Sequence, residues 1–554
     1  MASKKKLKVI SLGGLQEIGK NITVFEYGND IVIVDCGIAF PDEDLLGIDL
    51  VIPDFTYLQE NAERVRALFL THGHEDHIGS VPYLLKKLNI PVIFGTPLTN
   101  GLLNNKLKEH GLKANLRTVK PGDTVAAGCF RVEFINVNHS IADACALAIS
   151  TPIGNIIHTG DFKIDHTPIR GEVINLGRFA ELGNQGVKLL LCESTNVESK
   201  GFTMSERSVG EIIKNIFENS KKQRLLIATF SSNIHRIEHI IKCAEAQRRK
   251  VCILGRSMVN SIKTARELGY IECSEEIFID AKDLNMHKPE KVVIVSTGSQ
   301  GEPMSALSRI AMSDHRLVEV LPNDKIVISA SPIPGNEKTV TKVINELLRR
   351  GAEVIYEGVM DIHVSGHAKQ EEIKIMHNLC KPEYVMPVHG EYKHLNAHKE
   401  IAIALGTKKQ NVFVMNLGDV LEIDRNGARV NGSVTSGRVF VDGIGVGDVG
   451  SVVLRDRKHL SEDGLMVVVI GIDKAARVVV SGPEVISRGF VYVRESENLM
   501  EEAREVINNA IEDCDLNAIR DWNFLKNVIR DGLRDFLWKK TKRSPMILPI
   551  IMEV

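Results

Sequence analysis

Apolar and polar positions follow two rhythms along the chain. From Lys8 to about Leu191 the apolar residues come in short runs of β character, at Lys8–Leu12, Ile22–Tyr27, Ile31–Asp35, Ala67–Leu70, Phe130–Asn136, Asn155–His158 and Leu189–Cys192. Few helical stretches, such as Val81–Leu88 and Leu98–His110, separate them, which predicts sheets covered by helices. From about Ser205 helix and strand alternate regularly. Helices are expected at Glu206–Asn219, Asn233–Gln247, Ser257–Leu268 and Val340–Arg350, and strands at Arg224–Ala228, Val251–Leu254, Val292–Ser296, Ile326–Ser329 and Glu353–Tyr356. Such units build a parallel sheet with right-handed crossovers, so residues 206–360 read as a second, α/β domain.

Further on, Tyr384–Pro387 is a strand running into His389, as earlier strands run into His and Asp. The chain is therefore expected to return to its first domain over residues 361–447, which makes the α/β region an insertion after residues 1–205. Gly-rich Gly443–Gly450 reads as a linker, taken as 448–462. Residues 463–554 then form a small α+β domain, with β-rich Leu465–Ile472, Ala476–Ser481 and Phe490–Val493 and amphipathic helices at Leu499–Glu512 and Asn523–Trp538. The fold class is α/β overall.

Composition sharpens this picture. The 554 residues are 44% hydrophobic and 25% charged, enough apolar side chain for several cores and too much for disorder. No run approaches the roughly 18 apolar residues of a membrane helix, and no signal-like stretch follows Met1–Lys8, so a cytoplasmic location without membrane contact is expected. The net charge of -2 announces no polyanion partner, so a nucleic-acid site has to be a local groove. Nine scattered cysteines never form C-x-x-C and read as buried thiols, not as a disulfide frame or a zinc ribbon.

The histidines carry the chemistry. Strand Ala67–Leu70 ends in Thr71-His72-Gly73-His74-Glu75-Asp76-His77, an H-x-H-x-D-H pattern whose imidazoles and carboxylate are the borderline ligands that bind zinc or similar divalent ions. His139, Asp161 and His389 each follow a strand, and a ligand that must be held rigidly is best placed at a strand end. Asp35, also at a strand end, suits a supporting role that orients a ligand imidazole.

Together, Asp35, His72 to His77, His139, Asp161 and the late His389 resemble the metallo-β-lactamase fold, an αββα sandwich. The α/β insertion before the last histidine, with Glu193 in Glu193-Ser194-Thr195-Asn196, resembles its β-CASP nucleic-acid-processing branch. Gly13-Gly14-Leu15-Gln16-Glu17-Ile18-Gly19-Lys20-Asn21, Leu46-Gly47-Ile48-Asp49, His363-Val364-Ser365-Gly366-His367 and the terminal Pro545–Val554 are similar to the bacterial ribonuclease J family. The resemblance implies that His72, His74 and His139 hold one divalent metal while Asp76, His77 and His389 hold the other, with Asp161 bridging. Zinc is expected, with manganese as the alternative. Two such cations about 3.5–4 Å apart lower the pKa of a shared water and stabilise the attacking and leaving oxygens of a phosphodiester. Asp76 is the candidate to orient or deprotonate that water, because it has a spare carboxylate oxygen. Glu193 stands where relatives commonly carry Asp.

His363 to Ala368 follows the expected crossover. Small residues let backbone N–H groups approach an anion, and the Ser365 hydroxyl and two imidazoles add donors. The resemblance makes His363, Ser365, Gly366, His367 and Ala368 a grip on RNA phosphate, with His367 a candidate to assist the leaving group. Ser231, Ser232 and Asn233 are a second wall or, alternatively, a helix cap. Gly298–Pro303 lacks the P-loop spacing and is assigned no nucleotide. Lys539–Arg543 reads as a solvated charge run, with RNA backbone as the alternative partner.

The function expected is a two-metal ribonuclease acting on single-stranded RNA, 5′-to-3′ from a monophosphorylated end and also internally, in mRNA decay and RNA maturation. A homodimer or homotetramer through the C-terminal region is expected, with a paralogue as a further partner. The competing readings are an acyl or thioester hydrolase of the same fold, which needs neither the insertion nor His363 to His367, and a non-catalytic RNA-binding subunit, which the complete ligand set opposes.

Overall fold

The computed structural model describes residues 5–42, 44–302, 304–332, 336–473, 475–476, 478–490, 497–514 and 522–554. These fall into two compact units, residues 1–40 with 50–439 and residues 41–49 with 440–554.

Two sheets face each other in the first unit. An eight-stranded sheet runs in the order Gly427–Ser433, Asp419–Asp424, Leu7–Gly13, Ile22–Tyr27, Asp30–Val34, Val65–Phe69, Ile93–Gly95 and Leu116–Thr118. A six-stranded sheet runs Tyr384–Val388, Val187–Glu193, Gly154–His158, Cys145–Thr151, Phe130–Asn136 and Thr124–Ala127. Strand alternation decides which side chains fill the space between them. In Phe130–Asn136 the inward residues Phe130, Val132 and Phe134 join Leu7, Phe25 and Phe69 from the opposite sheet in one core. Val187–Glu193 is buried on both faces: Leu189 and Leu191 enter that core, while Leu190 and Cys192 pack outward on helices Leu176–Gln185 and Gln370–Cys380 through Phe179, Leu182, Ile373 and Met376. This is the αββα sandwich.

The insertion carries a five-stranded, wholly parallel sheet in the order Lys250–Leu254, Val292–Ser296, Leu225–Ala228, Lys325–Ile328 and Glu353–Ile355. Helices Glu206–Asn219, Ile234–Ala246 and Arg256–Glu267 cover one face through Ile213, Ile237 and Met258. Ala306–Ala311 and Glu337–Arg349 cover the other through Leu307, Val340 and Leu347. The chain then returns, and Tyr384–Val388 pairs in parallel with Val187–Glu193, with Met386 beside Leu191.

In the second unit Leu465–Asp473 lies between Val478–Arg488 and Met546–Glu553. Met466, Val468, Ile470 and Ile472 face helices Glu497–Glu512 and Trp522–Thr541, which close the core with Ile507, Ile529, Leu533 and Leu537. The sheet's other face leaves Ile486, Leu548, Ile550 and Met552 exposed.

Several expectations are corrected. The Gly-rich stretch is a hairpin, not a linker: Val441 pairs with Val446 and Asp442 with Gly445, and Gly443 takes φ 57°, which L side chains resist. Ser451–Asp463, assigned to the linker, is a helix between Gly450 and Gly464. It buries no residue, so it has no apolar stripe from which the sequence could reveal it. Strands Asp419–Asp424, Gly427–Ser433 and Met546–Glu553 had no sequence-based assignment; the second is a half-exposed edge strand with almost no apolar alternation. The expected strand Phe490–Val493 is not seen at Phe490, which lies past the strand end at Arg488, and residues 491–493 lie outside the described set.

Candidate metal centre and phosphate pocket

The candidate residues gather at one edge of the two sheets because each sits just past the end of a strand. Register brings three of these ends side by side, with His158 opposite Leu191 and Glu193 opposite Val388. Val65–Phe69 runs into the His72 turn, and His74 precedes the single-turn helix Glu75–Ile78, which turns His77 inward.

Two donor groups result. One is His72, His74 and His139; Nδ1 of His74 lies 3.1 Å from Nε2 of His72 and 3.1 Å from Nε2 of His139. The other is Asp76, His77, Asp161 and His389, where Nε2 of His77 is 3.2 Å from Asp161 Oδ2 and 3.5 Å from Asp76 Oδ2. Asp161 Oδ2 is also 3.7 Å from Nε2 of both His72 and His139, so one carboxylate oxygen faces both groups. Tetrahedral donors placed about 2.0–2.1 Å from a zinc ion are about 3.3–3.4 Å apart, the spacing seen here. Nε2 of His389 is buried with no hydrogen-bond partner, 3.4 Å from Asp76 Oδ2. A buried imidazole nitrogen left unpaired among carboxylates is what a cation site requires, and the donor set fits one.

Supporting contacts aim these donors. Asp35 has φ 60°, and its carboxylate accepts from the Thr71 N–H at 2.8 Å and the Thr71 hydroxyl at 2.8 Å, and meets His77 Nδ1 at 2.8 Å. The Gly366 carbonyl lies 2.7 Å from His139 Nδ1, and Asp161 Oδ1 lies 2.9 Å from His389 Nδ1. Both contacts leave the Nε2 atoms facing inward. The His389 N–H donates to the Gly14 carbonyl at 2.8 Å, which gives the Gly13-to-Asn21 motif a structural part.

Electrostatics mark a site built for positive charge. Burial by itself raises the carboxyl pKa of Asp161 and of Asp76, yet His77 and His389 outweigh it and hold both well below the usual range. Burial lowers His77 and His389, but Asp161 and Asp76 lift His77 well above its ordinary value and His389 to about 10. Burial keeps His72 and His139 neutral and brings His74 to about 4, the state in which imidazole binds a metal.

The expected phosphate segment lies beside this centre. His367 Nδ1 meets Glu193 Oε2 at 2.8 Å, and that carboxylate, against the opposing effect of burial, raises the imidazole pKa. Ser365 Oγ accepts from Asn196 Nδ2 at 2.7 Å. His363 Nδ1 is buried without a hydrogen-bond partner, and burial, with Arg236 nearby, brings that ring to about 3. Phe230 packs against His363 with ring centroids 6.3 Å apart, which puts half-buried Ser231 and Ser232 in the adjoining loop. Two expected members make further contacts. Asn233 caps helix Ile234–Ala246 by accepting from the Arg236 N–H. Ala368 buries its methyl group in the core and directs its N–H to Glu193 Oε1 at 3.4 Å.

Family models match in chain order. "Metallo-beta-lactamase superfamily" covers residues 16–191, "Ribonuclease J, beta-CASP domain" 222–347, "Zn-dependent metallo-hydrolase RNA specificity domain" 351–415 and "Ribonuclease J C-terminal domain" 452–554. "Ribonuclease J2" of Bacillus subtilis is 44% identical over 552 residues, covering 99% of each chain. The chain belongs to the ribonuclease J family. "Ribonuclease J 1" of Streptococcus pyogenes is 45% identical, over 98% of this chain and 97% of its own. A crystal structure of a protein of unknown function from Enterococcus faecalis, 16% identical, superposes with a TM-score of 0.54 on 76% of this chain and all of its own, and shows the fold alone.

Sequence reasoning missed the residues that act through others: Thr71, Asn196 and the Gly14 and Gly366 carbonyls. Thr71 and Asn196 stand inside motifs already singled out, Thr71-His72 and Glu193 to Asn196. The carbonyls carry no signal in residue type.

Proposed function

We propose that the protein is a two-metal ribonuclease with 5′-to-3′ exonuclease activity on monophosphorylated single-stranded RNA and endonuclease activity. Family membership supports the metal-dependent nuclease, and the placement of Asp161 Oδ2 between the two donor groups is the observation that carries the two-metal reading. His72, His74 and His139 would hold one ion, Asp76, His77 and His389 the other, with Asp161 shared; the histidines favour zinc, and the carboxylates also accept manganese. When bound, the ions supply an activated water at neutral pH and stabilise negative charge on the phosphodiester oxygens.

The chain's own groups do the rest. Asp35 and the Gly366 carbonyl keep the His77 and His139 rings turned so that Nε2 stays available. Asp76, the most exposed carboxylate of the cluster, is the group to orient the attacking water. His367, whose imidazole pKa Glu193 raises against the effect of burial, is placed to donate to a phosphate or to the leaving oxygen. His363, Ser365 and the Gly366 segment seat the terminal phosphate of a 5′-monophosphate end one nucleotide from the site of attack, so that cleavage releases mononucleotides successively. An internal phosphate in the same seat permits internal cuts in unpaired RNA.

The exposed apolar face of the C-terminal sheet supports self-association through that unit.

The test is degradation of a 5′-monophosphorylated, 3′-labelled RNA with and without a chelator. Mononucleotide release that stops on chelation and returns with zinc is expected. Chelator-resistant release would overturn the metal assignment.

A further inference from the structure

Beneath the metal centre lies a cluster of chemistry-bearing side chains that the proposed function does not use. Cys192, His377 and His398 are all buried, and their ligand atoms lie close together. Helix Gln370–Cys380 supplies His377 and helix Tyr392–Ala404 supplies His398. The two imidazoles meet at Nε2–Nε2 2.8 Å, and His398 Nδ1 lies 2.9 Å from Ser194 Oγ. At 2.8 Å the nitrogens are closer than the roughly 3.3 Å of neighbouring donors around a zinc ion, and the contact is that of one shared hydrogen.

The chain of contacts continues upward. The Ser194 N–H and the Thr195 hydroxyl both donate to the His389 carbonyl, at 3.3 and 3.2 Å. His389 needs holding, since its backbone has φ 52°, a left-handed conformation that a side chain with a Cβ disfavours. The same turn governs the phosphate pocket: Glu193 holds His367, and Asn196 Nδ2 donates to Ser365 Oγ at 2.7 Å and to the His367 carbonyl at 3.3 Å.

We propose that the buried His377–His398 pair is a positioning device which, by fixing Ser194, sets the Glu193–Asn196 turn and so aligns His389 with the phosphate-gripping residues. A neutral imidazole has one N–H, so a hydrogen between the two Nε2 atoms determines whether His398 Nδ1 donates to Ser194 or accepts from it. Either ordering pins the serine hydroxyl. A hydrophobic filler in place of His398 would preserve packing and release the turn.

The inference rests on the ribonuclease reading, and the experiment separates the two. Wild type and the variants His398→Leu, His398→Gln, Ser194→Ala and Asn196→Ala are compared by zinc equivalents bound per folded chain, by zinc affinity, and by the ratio of rates on 5′-monophosphate and 5′-triphosphate forms of one RNA. His398→Leu and Ser194→Ala are expected to weaken zinc binding by about 10- to 100-fold, the usual effect of losing an outer support, and to lower the rate ratio. His398→Gln, whose amide can still bond to Ser194, should recover most of both. Asn196→Ala should lower the ratio and keep both zinc equivalents. Where His398→Leu does not fold, Ser194→Ala carries the same expectations.

A folded His398→Leu or Ser194→Ala chain with wild-type zinc affinity and ratio would overturn the proposal. So would a third zinc equivalent in wild type that His398→Leu loses, because the cluster would then itself be a metal site. Wild type that degrades none of these RNAs with zinc or with manganese would instead overturn the ribonuclease reading.

Discussion

At the scale of single residues, the candidate centre is built of pairs in which one side chain belongs to a donor group and its neighbour fixes its direction. Asp161→Ala or His77→Ala removes a donor from the second group, and Asp161 from both. Each variant is expected to abolish hydrolysis with the fold retained, and full metal content with full activity would contradict the two-metal assignment. Asp35→Asn keeps a hydrogen-bond partner near His77 and removes its charge; a loss of about 10- to 100-fold in metal affinity, measured by competition with a chelating dye, is expected. Gly366→Ala tests space alone, since a Cβ there would come 2.6 Å from His139 Cε1. The imidazole has to move, and activity should fall at unchanged thermal stability.

Protonation offers another test at this scale. In the metal-free chain His77 and His389 lie between carboxylates that raise their pKa values, His389 to about 10, so both carry protons at neutral pH. An incoming cation has to displace these protons. Metal affinity should therefore rise with pH up to about 10, with proton release visible as a dependence of the calorimetric heat on buffer ionisation enthalpy. Heats independent of the buffer would contradict it.

Among elements, the loop of residues 137–144 links the two folded parts of the first unit. It carries His139, and its Asp143 accepts a hydrogen bond from the Tyr270 hydroxyl of the inserted domain. Nearby, helix Pro97–Glu109 packs on helix Arg256–Glu267, with Asn105 Nδ2 donating to Thr264 Oγ1 at 2.8 Å. A Cβ at Gly101 would come 2.6 Å from Thr264 Cγ2, so Gly101→Leu should push the helices apart. RNA cleavage is expected to drop several-fold while both metals remain, as checked by elemental analysis and steady-state rates. The elements of the chain were unevenly legible. Strand ends with His or Asp stood out because the apolar run stops where the chemistry begins. Helix Ser451–Asp463 and the edge strand Gly427–Ser433 did not, because neither buries a periodic face.

For the whole molecule, two expectations concern ends and partners. Truncation near Gly450 removes the apolar sheet face formed by Ile486, Leu548 and Ile550, and monomers are expected on light scattering. An unchanged oligomer would place the interface elsewhere. A triphosphate adds bulk and charge to a seat sized for one phosphate, so its 5′ end should be degraded much more slowly than a monophosphate end. Equal rates would contradict a seat at His363, Ser365 and His367.

Taken alone, the sequence determined the α/β class, the insertion, the ligand types and the family resemblance. These depend on local periodicity and on motifs a few residues long, which survive without coordinates. Tertiary structure decided what depends on distance between remote segments. It placed Asp161 between two donor groups, set the Gly366 carbonyl on His139 across 227 residues, gave Asn233 the cap of a helix and buried the Ala368 methyl group in a core. It also joined His377 and His398 to Ser194. Neither histidine belongs to a motif, since a hydrogen bond between helices is specified by packing geometry and leaves no spacing in the chain.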